Sequence, residues 1–158
     1  MPNVKPIPEG YHSVTPYLYE RNAAAAIEFY KKVFGAEEVL RMPGPGGKIM
    51  HAEINIGNSR VMLADENPQM NALGPLSVGG CGSSLYVYIE DVDAVVKRAE
   101  AAGATLTRPV KDQFYGDRSG AFTDPFGYNW YVATRVEDVT PEEIGRRATA
   151  AMSQSAGS

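Results

Sequence analysis

Cysteine is almost missing from this chain, with Cys81 standing alone among 158 residues. One thiol excludes an intrachain disulfide and cannot build a thiolate metal cluster, and it accords with a reducing, cytoplasmic setting. Histidine is as scarce, with only His12 and His51, so imidazole donors for a metal are few. No apolar run approaches the roughly 20 residues that span a bilayer. The opening Met-Pro-Asn-Val-Lys-Pro-Ile-Pro-Glu-Gly also lacks the apolar centre of a secretory leader. Positive charge is thin too: 15 Lys and Arg against 19 Asp and Glu leave a net charge of -4. Nucleic acid is gripped mainly through its phosphates, so it is not an expected partner.

What is present is an ordinary globular composition, 44% apolar and 22% charged, written twice. An aromatic extended segment at 15–19, a polar cap at Asn22, an Ala-rich stretch and Phe34-Gly35-Ala36 come first. The same order returns as an extended segment at 85–89, a cap at Asp91, a second periodic stretch and Ala102-Gly103-Ala104. The two caps and the two glycines give nearly the same period, which marks a duplication. Ala23, Ile27, Tyr30 and Phe34 form an apolar stripe at helical spacing, as do Val92, Val95, Val96 and Ala99. Asn22 and Asp91 can accept from the free N–H groups of a first helical turn. Gly35 and Gly103 stand where a left-handed terminating residue is wanted.

Three strands follow each helix. In the first copy they are predicted at 38–42, 48–56 and 60–64, with turns at the Pro43–Gly47 cluster and at Gly57-Asn58. In the second they are predicted at 105–108, 120–123 and 129–136, the last two joined by Asp124-Pro125-Phe126-Gly127. The class is therefore α+β: two βαβββ modules, at about 11–66 and 84–137. A Gly/Pro/Asn-rich linker covers 67–83. A C-terminal helix from Thr140-Pro141 to about Met152 and a disordered tail complete the 138–158 segment.

Several stretches carry a more specific likeness. Pro6-Ile7-Pro8-Glu9-Gly10-Tyr11, Ala26-Ile27-Glu28-Phe29-Tyr30, His51-Ala52-Glu53, the run from Asp112 to Arg118, and Asp124-Pro125-Phe126-Gly127 occur in this order. Together with the doubled βαβββ plan they resemble the vicinal-oxygen-chelate superfamily of the glyoxalase/bleomycin-resistance type, and its PhnB-like subgroup in particular. The resemblance implies one domain whose paired half-barrels enclose a cavity, often completed by a second subunit, hence a homodimer. It also implies a metal question, because metal-dependent relatives place one ligand on the first and one on the last strand of each copy. The corresponding positions here are about Thr15, Leu63, Ser84 and Tyr131, and shifting the alignment brings in Tyr17, Asp65 or Tyr86. None makes a cluster of imidazole and carboxylate. Tyr128 and Arg135 stand where PhnB-like relatives often carry histidine. No cofactor is expected, and a divalent metal stays open.

The candidate site residues follow from strand alternation. His51 and Glu53 lie two apart on one predicted strand, so they share a face. They read equally as a polar cavity lining or as a structural or solvated pair, and more weakly as an acid–base pair. His12 reads as a surface or hydrogen-bonded residue. Tyr17, Tyr19, Tyr86 and Tyr88 alternate on the two equivalent first strands. They read as an aromatic wall, against the plain alternative that tyrosine is common in strands. Phe114, Tyr115 and Arg118 are placed in a loop near the mouth, Arg118 for a ligand carboxylate or for an internal ion pair. Tyr131 completes the ligand-binding set. The glycine clusters at 44–47 and 79–82 lack the Lys-Ser/Thr of a phosphate loop and read as turns. Two functions emerge: a metal-free cavity that binds a small aromatic or amphipathic molecule, or a lyase, isomerase or dioxygenase-like enzyme using a divalent metal or the His51/Glu53 pair.

Overall fold

The structure is a computed structural model that describes residues 3–157. Its first four strands are β1 (Tyr17–Glu20), β2 (Glu37–Pro43), β3 (Ile49–Ile56) and β4 (Ser59–Asp65), with helix α1 (Ala23–Phe34) after β1. They form one sheet in the order β1-β4-β3-β2. The second set is β5 (Ser84–Tyr88), β6 (Thr105–Asp112), β7 (Asp117–Thr123) and β8 (Asn129–Arg135), with helix α3 (Val92–Ala101) after β5. Its order, β5-β8-β7-β6, repeats the first. In each sheet the first strand pairs in parallel with the last, and the remaining pairs are antiparallel. The architecture is α+β with two βαβββ modules.

The helix ends form for the reasons read in the sequence. Asn22 Oδ1 accepts from Ala25 N at 3.1 Å and Asp91 Oδ1 from Ala94 N at 3.0 Å, each such cap being worth about 1 kcal/mol. A second acceptor reinforces each start: Asp65 Oδ1 takes Ala23 N at 2.9 Å, and Thr134 Oγ1 takes Val92 N at 3.0 Å. Gly35 closes α1 in the left-handed region at φ 67°, ψ 31°.

Alternation then sorts the strands. Leu18, Ala52, Ile54, Ile56, Val61 and Leu63 face α1, and Phe122, Trp130 and Val132 face the helices from the second sheet, all in one core. Phe29 meets Phe122 edge-on with ring centres 6.4 Å apart, and Phe34 lies 4.8 Å from the Trp130 ring. Burying each such side chain stabilises the fold by roughly 1.5–3 kcal/mol. Arg98 of α3 donates through Nε and Nη2 to the Val33 carbonyl oxygen at 3.2 and 3.0 Å, satisfying an end of α1 from the other module.

A buried polar cluster joins the modules. Tyr30 Oη lies 3.0 Å from Glu20 Oε1 and 2.7 Å from Asp124 Oδ2. The Asp124 carboxylate also accepts from Trp130 Nε1 and from the backbone N–H groups of Phe126 and Tyr128, at 2.8, 2.9 and 3.0 Å. A phenol has one proton to give, so it donates to one carboxyl and receives from the other. Asp124, with its further donors, is the charged acceptor. Glu20, whose Oε2 is buried without a partner among the described residues, is the protonated donor. Burial and the neighbouring Asp124 push the Glu20 carboxyl up to about 9.

Three segments differ from the sequence expectation. β6 continues to Asp112 and β7 begins at Asp117, so Asp117 and Arg118 lie in a strand and only a short turn separates the two. The 67–83 stretch is ordered around a 3-10 turn (Pro68–Met70) and a short helix α2 (Pro75–Val78), held by Arg21, whose Nη2 donates to Leu76 O at 2.9 Å. The last helix, α4 (Pro141–Ser155), runs past Met152 into the segment expected to be disordered, whose final residue lies outside the described residues. Among the described residues no helix is long and apolar enough to cross a membrane.

Candidate functional site

The faces turned away from the helices carry the chemistry. In the first module, alternation against Ala52, Ile54, Val61 and Leu63 turns His51, Glu53, Asn55, Arg60 and Met62 outwards together with Tyr17. These groups are hydrogen-bonded in a chain. Tyr17 Oη is 2.9 Å from His51 Nδ1, and His51 Nε2 is 3.1 Å from Glu53 Oε1. Arg60 Nη1 donates to Glu53 Oε2 at 2.6 Å, Tyr11 Oη donates to the same oxygen, and Arg60 Nε donates to Asn55 Oδ1 at 2.8 Å. The guanidinium also covers the Tyr11 ring at 4.6 Å.

Burial alone would raise the Glu53 carboxyl, but the donors Tyr11, His51 and Arg60 outweigh it and hold the group below its ordinary value. Glu53 is therefore an acceptor, so His51 carries its proton on Nε2 and, while neutral, accepts the Tyr17 proton at Nδ1.

The second module builds its own cluster. Tyr86 and Tyr88 donate to Asp117 Oδ2 at 3.1 and 2.9 Å. Asp117 is 1% exposed, its Oδ1 has no hydrogen-bond partner among the described residues, and Arg135 Nη1 stands 3.7 Å from it. The Tyr86 ring lies parallel to Tyr131 at 5.9 Å, and Arg108 sits over the Tyr131 ring at 5.5 Å. Tyr115 packs edge-on against Phe114 in the β6–β7 turn. Tyr17, Tyr86 and Tyr88 remain 40%, 46% and 61% exposed as residues although their hydroxyls are hydrogen-bonded.

A cleft of about 390 Å³ runs between the modules, lined by His12, Pro16 and Arg60 on one side and by Leu85, Tyr86 and Tyr88 on the other. Register shows that the duplication has diverged inside the site. Tyr17 pairs with Met62 and Tyr86 with Tyr131, while Glu53 opposes Met62 and Ala121 opposes Tyr131. Ala121 thus occupies the place that Glu53 fills in the first copy, and Asp117 comes from the far end of its strand.

The expected residues are accordingly gathered in two groups, Tyr17, His51 and Glu53 in one module, Tyr86, Tyr88 and Tyr131 in the other, with Phe114 and Tyr115 at the adjoining turn. Arg118 is not brought to them. Its position in β7 points it to the helix side, where Nε and Nη2 each reach Asp93 at 2.8 Å and Nη1 reaches Asp112 at 3.0 Å. Sequence reasoning missed Arg60, Tyr11 and Asp117 as site-builders. Arg60 was findable, because it alternates with Val61 and Leu63 across the Gly57-Asn58 turn. Leu63, aligned with a family ligand position, is fully buried in the core, and Met62 holds the outward place. The donor chemistry does not fit a resident divalent ion: His51 uses both ring nitrogens within the protein, and the facing strands offer Met62, Tyr86 and Tyr131. Among the described residues no group of three His, Cys, Asp or Glu is close enough to hold one.

Comparison with known proteins agrees with this architecture. An uncharacterized Mycobacterium tuberculosis protein is 42% identical over 135 residues, covering 84% of this chain and 79% of that one. The crystal structure of TioX from Micromonospora sp. ML1 superposes with a TM-score of 0.60 at 26% identity, covering 82% of this chain and 100% of TioX. A Bacillus cereus PhnB protein, described as a putative 3-demethylubiquinone-9 3-methyltransferase, gives a TM-score of 0.62 at 21% identity, over 78% of this chain and 99% of that one, and shows the shared fold. Residues 11–132 match the model of one family. With its doubled βαβββ modules and that match, the chain belongs to the Glyoxalase/Bleomycin resistance protein/Dioxygenase superfamily.

Proposed function

We propose that this protein binds a small aromatic or amphipathic molecule against its outward-facing tyrosines, without a metal, as a cytoplasmic homodimer. The observation that carries the reading is the pairing of exposed rings with immobilised hydroxyls at Tyr17, Tyr86 and Tyr88. Rings held in place lose little freedom when a planar ligand stacks on them, which favours binding. The cleft between the modules has the size of a small-molecule site. Apolar side chains left open on the edge strand β2, Leu40 and Met42, support pairing with a second copy.

A second reading is favoured by the chain from Tyr17 through His51 to Glu53. Nucleophile or base, imidazole and orienting carboxylate in sequence are the parts of general acid–base catalysis. Under this reading Tyr17 passes a substrate proton to His51 and Glu53 stabilises the resulting imidazolium, as in a lyase or isomerase.

The readings separate on purified protein by elemental analysis combined with thermal-shift titration of Mn, Ni, Zn and Fe(II) and of 2-naphthol. A ligand that binds only the folded state raises its stability. Stabilisation by 2-naphthol, weakened in Tyr86→Ala, with no stoichiometric metal is the expected result. Stoichiometric metal with a large stabilisation overturns the metal-free reading.

A further inference from the structure

Two of the exposed tyrosines, Tyr86 and Tyr88, have already spent their only proton. Tyr86 and Tyr88 both donate to one carboxylate oxygen of Asp117, at 3.1 and 2.9 Å. What each hydroxyl has left to offer is lone pairs. The groups stay protonated in this role. Burial, then the Asp117 hydrogen bond and the neighbouring Tyr115 hydroxyl, raises the Tyr86 phenol, while the Asp117 hydrogen bond followed by burial raises that of Tyr88.

The nearby cations do not reverse this polarity at the tyrosines. Arg60 directs Nε and Nη1 to Asn55, Glu53 and Tyr11. Arg135 pairs with Asp138 and stands beside Asp117, and Arg108 sits over the Tyr131 ring.

Resting on the binding function proposed above, we infer that the Tyr86–Tyr88 face of the cleft selects aromatic molecules that carry hydrogen-bond donors at their rim, such as phenols, indoles and aromatic amines, over equally shaped molecules that carry only acceptors. The ring stack supplies affinity, and the acceptor-only hydroxyls supply the choice. Asp117 is the positioning residue, because it sets which way both hydroxyls point their protons. An unmade hydrogen bond at such a site leaves lone pairs facing lone pairs, a repulsive contact that discriminates more strongly than a missing attraction.

The test compares 2-naphthol with 2-methoxynaphthalene and 2-naphthoate by isothermal titration calorimetry on the full chain. The naphthol is expected to bind about tenfold tighter than its methyl ether, the effect of one net hydrogen bond, and the naphthoate is expected to bind weakest. In Asp117→Asn the amide nitrogen occupies the place of Oδ2 and donates to both tyrosines, which frees their protons. The preference is then expected to shrink to about threefold or less as the ether gains affinity. Should Asp117→Asn fail to fold, the double variant Tyr86→Phe/Tyr88→Phe removes the acceptors and is expected to keep ether binding while losing the preference. Equal wild-type affinity for naphthol and ether, or an undiminished preference in these variants, overturns the inference while leaving aromatic binding intact. Failure of all three compounds to bind removes the binding function itself.

Discussion

Glu20 should make this protein less stable as the solution becomes more alkaline, well before any denaturing pH. The residue is 1% exposed and faces a tyrosine whose proton belongs to Asp124. An unfolded chain returns the carboxyl to its ordinary value of 4.5, whereas the fold raises it to about 9. The folded state therefore binds a proton that the unfolded state releases over this range. By linkage the stabilisation is complete below 4.5 and is lost as pH rises through about 9, at about 1.4 kcal/mol per pH unit in between. At pH 7 the accumulated loss is about 3 kcal/mol, a sizeable share of the stability of a domain this small.

Glu20→Gln removes the dependence, since an amide keeps the shape and needs no proton. Its nitrogen can donate to Tyr30 Oη as the protonated acid does, leaving one N–H without a partner at a cost of about 1 kcal/mol. The variant is expected to be more stable than wild type by about 2 kcal/mol at pH 7. Urea denaturation at pH 6, 7 and 8 reads this directly. The gap should widen with pH, and a gap that stays constant, or a variant less stable at pH 8, would refute the protonated-Glu20 assignment.

Glu53 has the opposite sign. Its carboxyl is held below the ordinary 4.5, so its contribution is present above that value and lost as pH falls through the depressed one. Glu53→Gln is expected to cost about 2 kcal/mol at pH 7, by stripping Arg60 of its charged partner, with the difference closing as pH falls through the lowered carboxyl value in acid titrations followed by circular dichroism. Gly116→Ala should be the most damaging small substitution in the β6–β7 turn. Its φ is +97° and a Cβ would collide with the Glu137 carbonyl oxygen, so a loss of about 3 kcal/mol in thermal denaturation is expected, together with weaker 2-naphthol binding through the displaced Asp117.

The duplicated plan was readable because its signals are local. Asn22, Asp91 and Gly35 act within one turn of chain, and apolar alternation separates core from outward residues strand by strand. The β6–β7 boundary was not readable for a physical reason. Pro109 and a run of charged residues look like a loop, yet β6 is an edge strand, where proline is tolerated and charges face solvent. That misplacement put Arg118 beside Asp117 in a loop, whereas adjacent strand residues point to opposite faces. The common face of His51 and Glu53 was legible from spacing. Their partners Tyr11 and Arg60 lie on other segments, and the Glu20–Tyr30–Asp124 cluster is closed by a Tyr30–Asp124 contact across 94 positions, beyond any local pattern.

The unequal placement of Glu53 and Asp117 in the two sheets gives the molecule a sense of direction. A perfectly repeated scaffold would carry the same chemistry on both sheets. Here one sheet bears an imidazole backed by an acid and the other a pair of phenols sharing one, so the two halves of the molecule are not interchangeable.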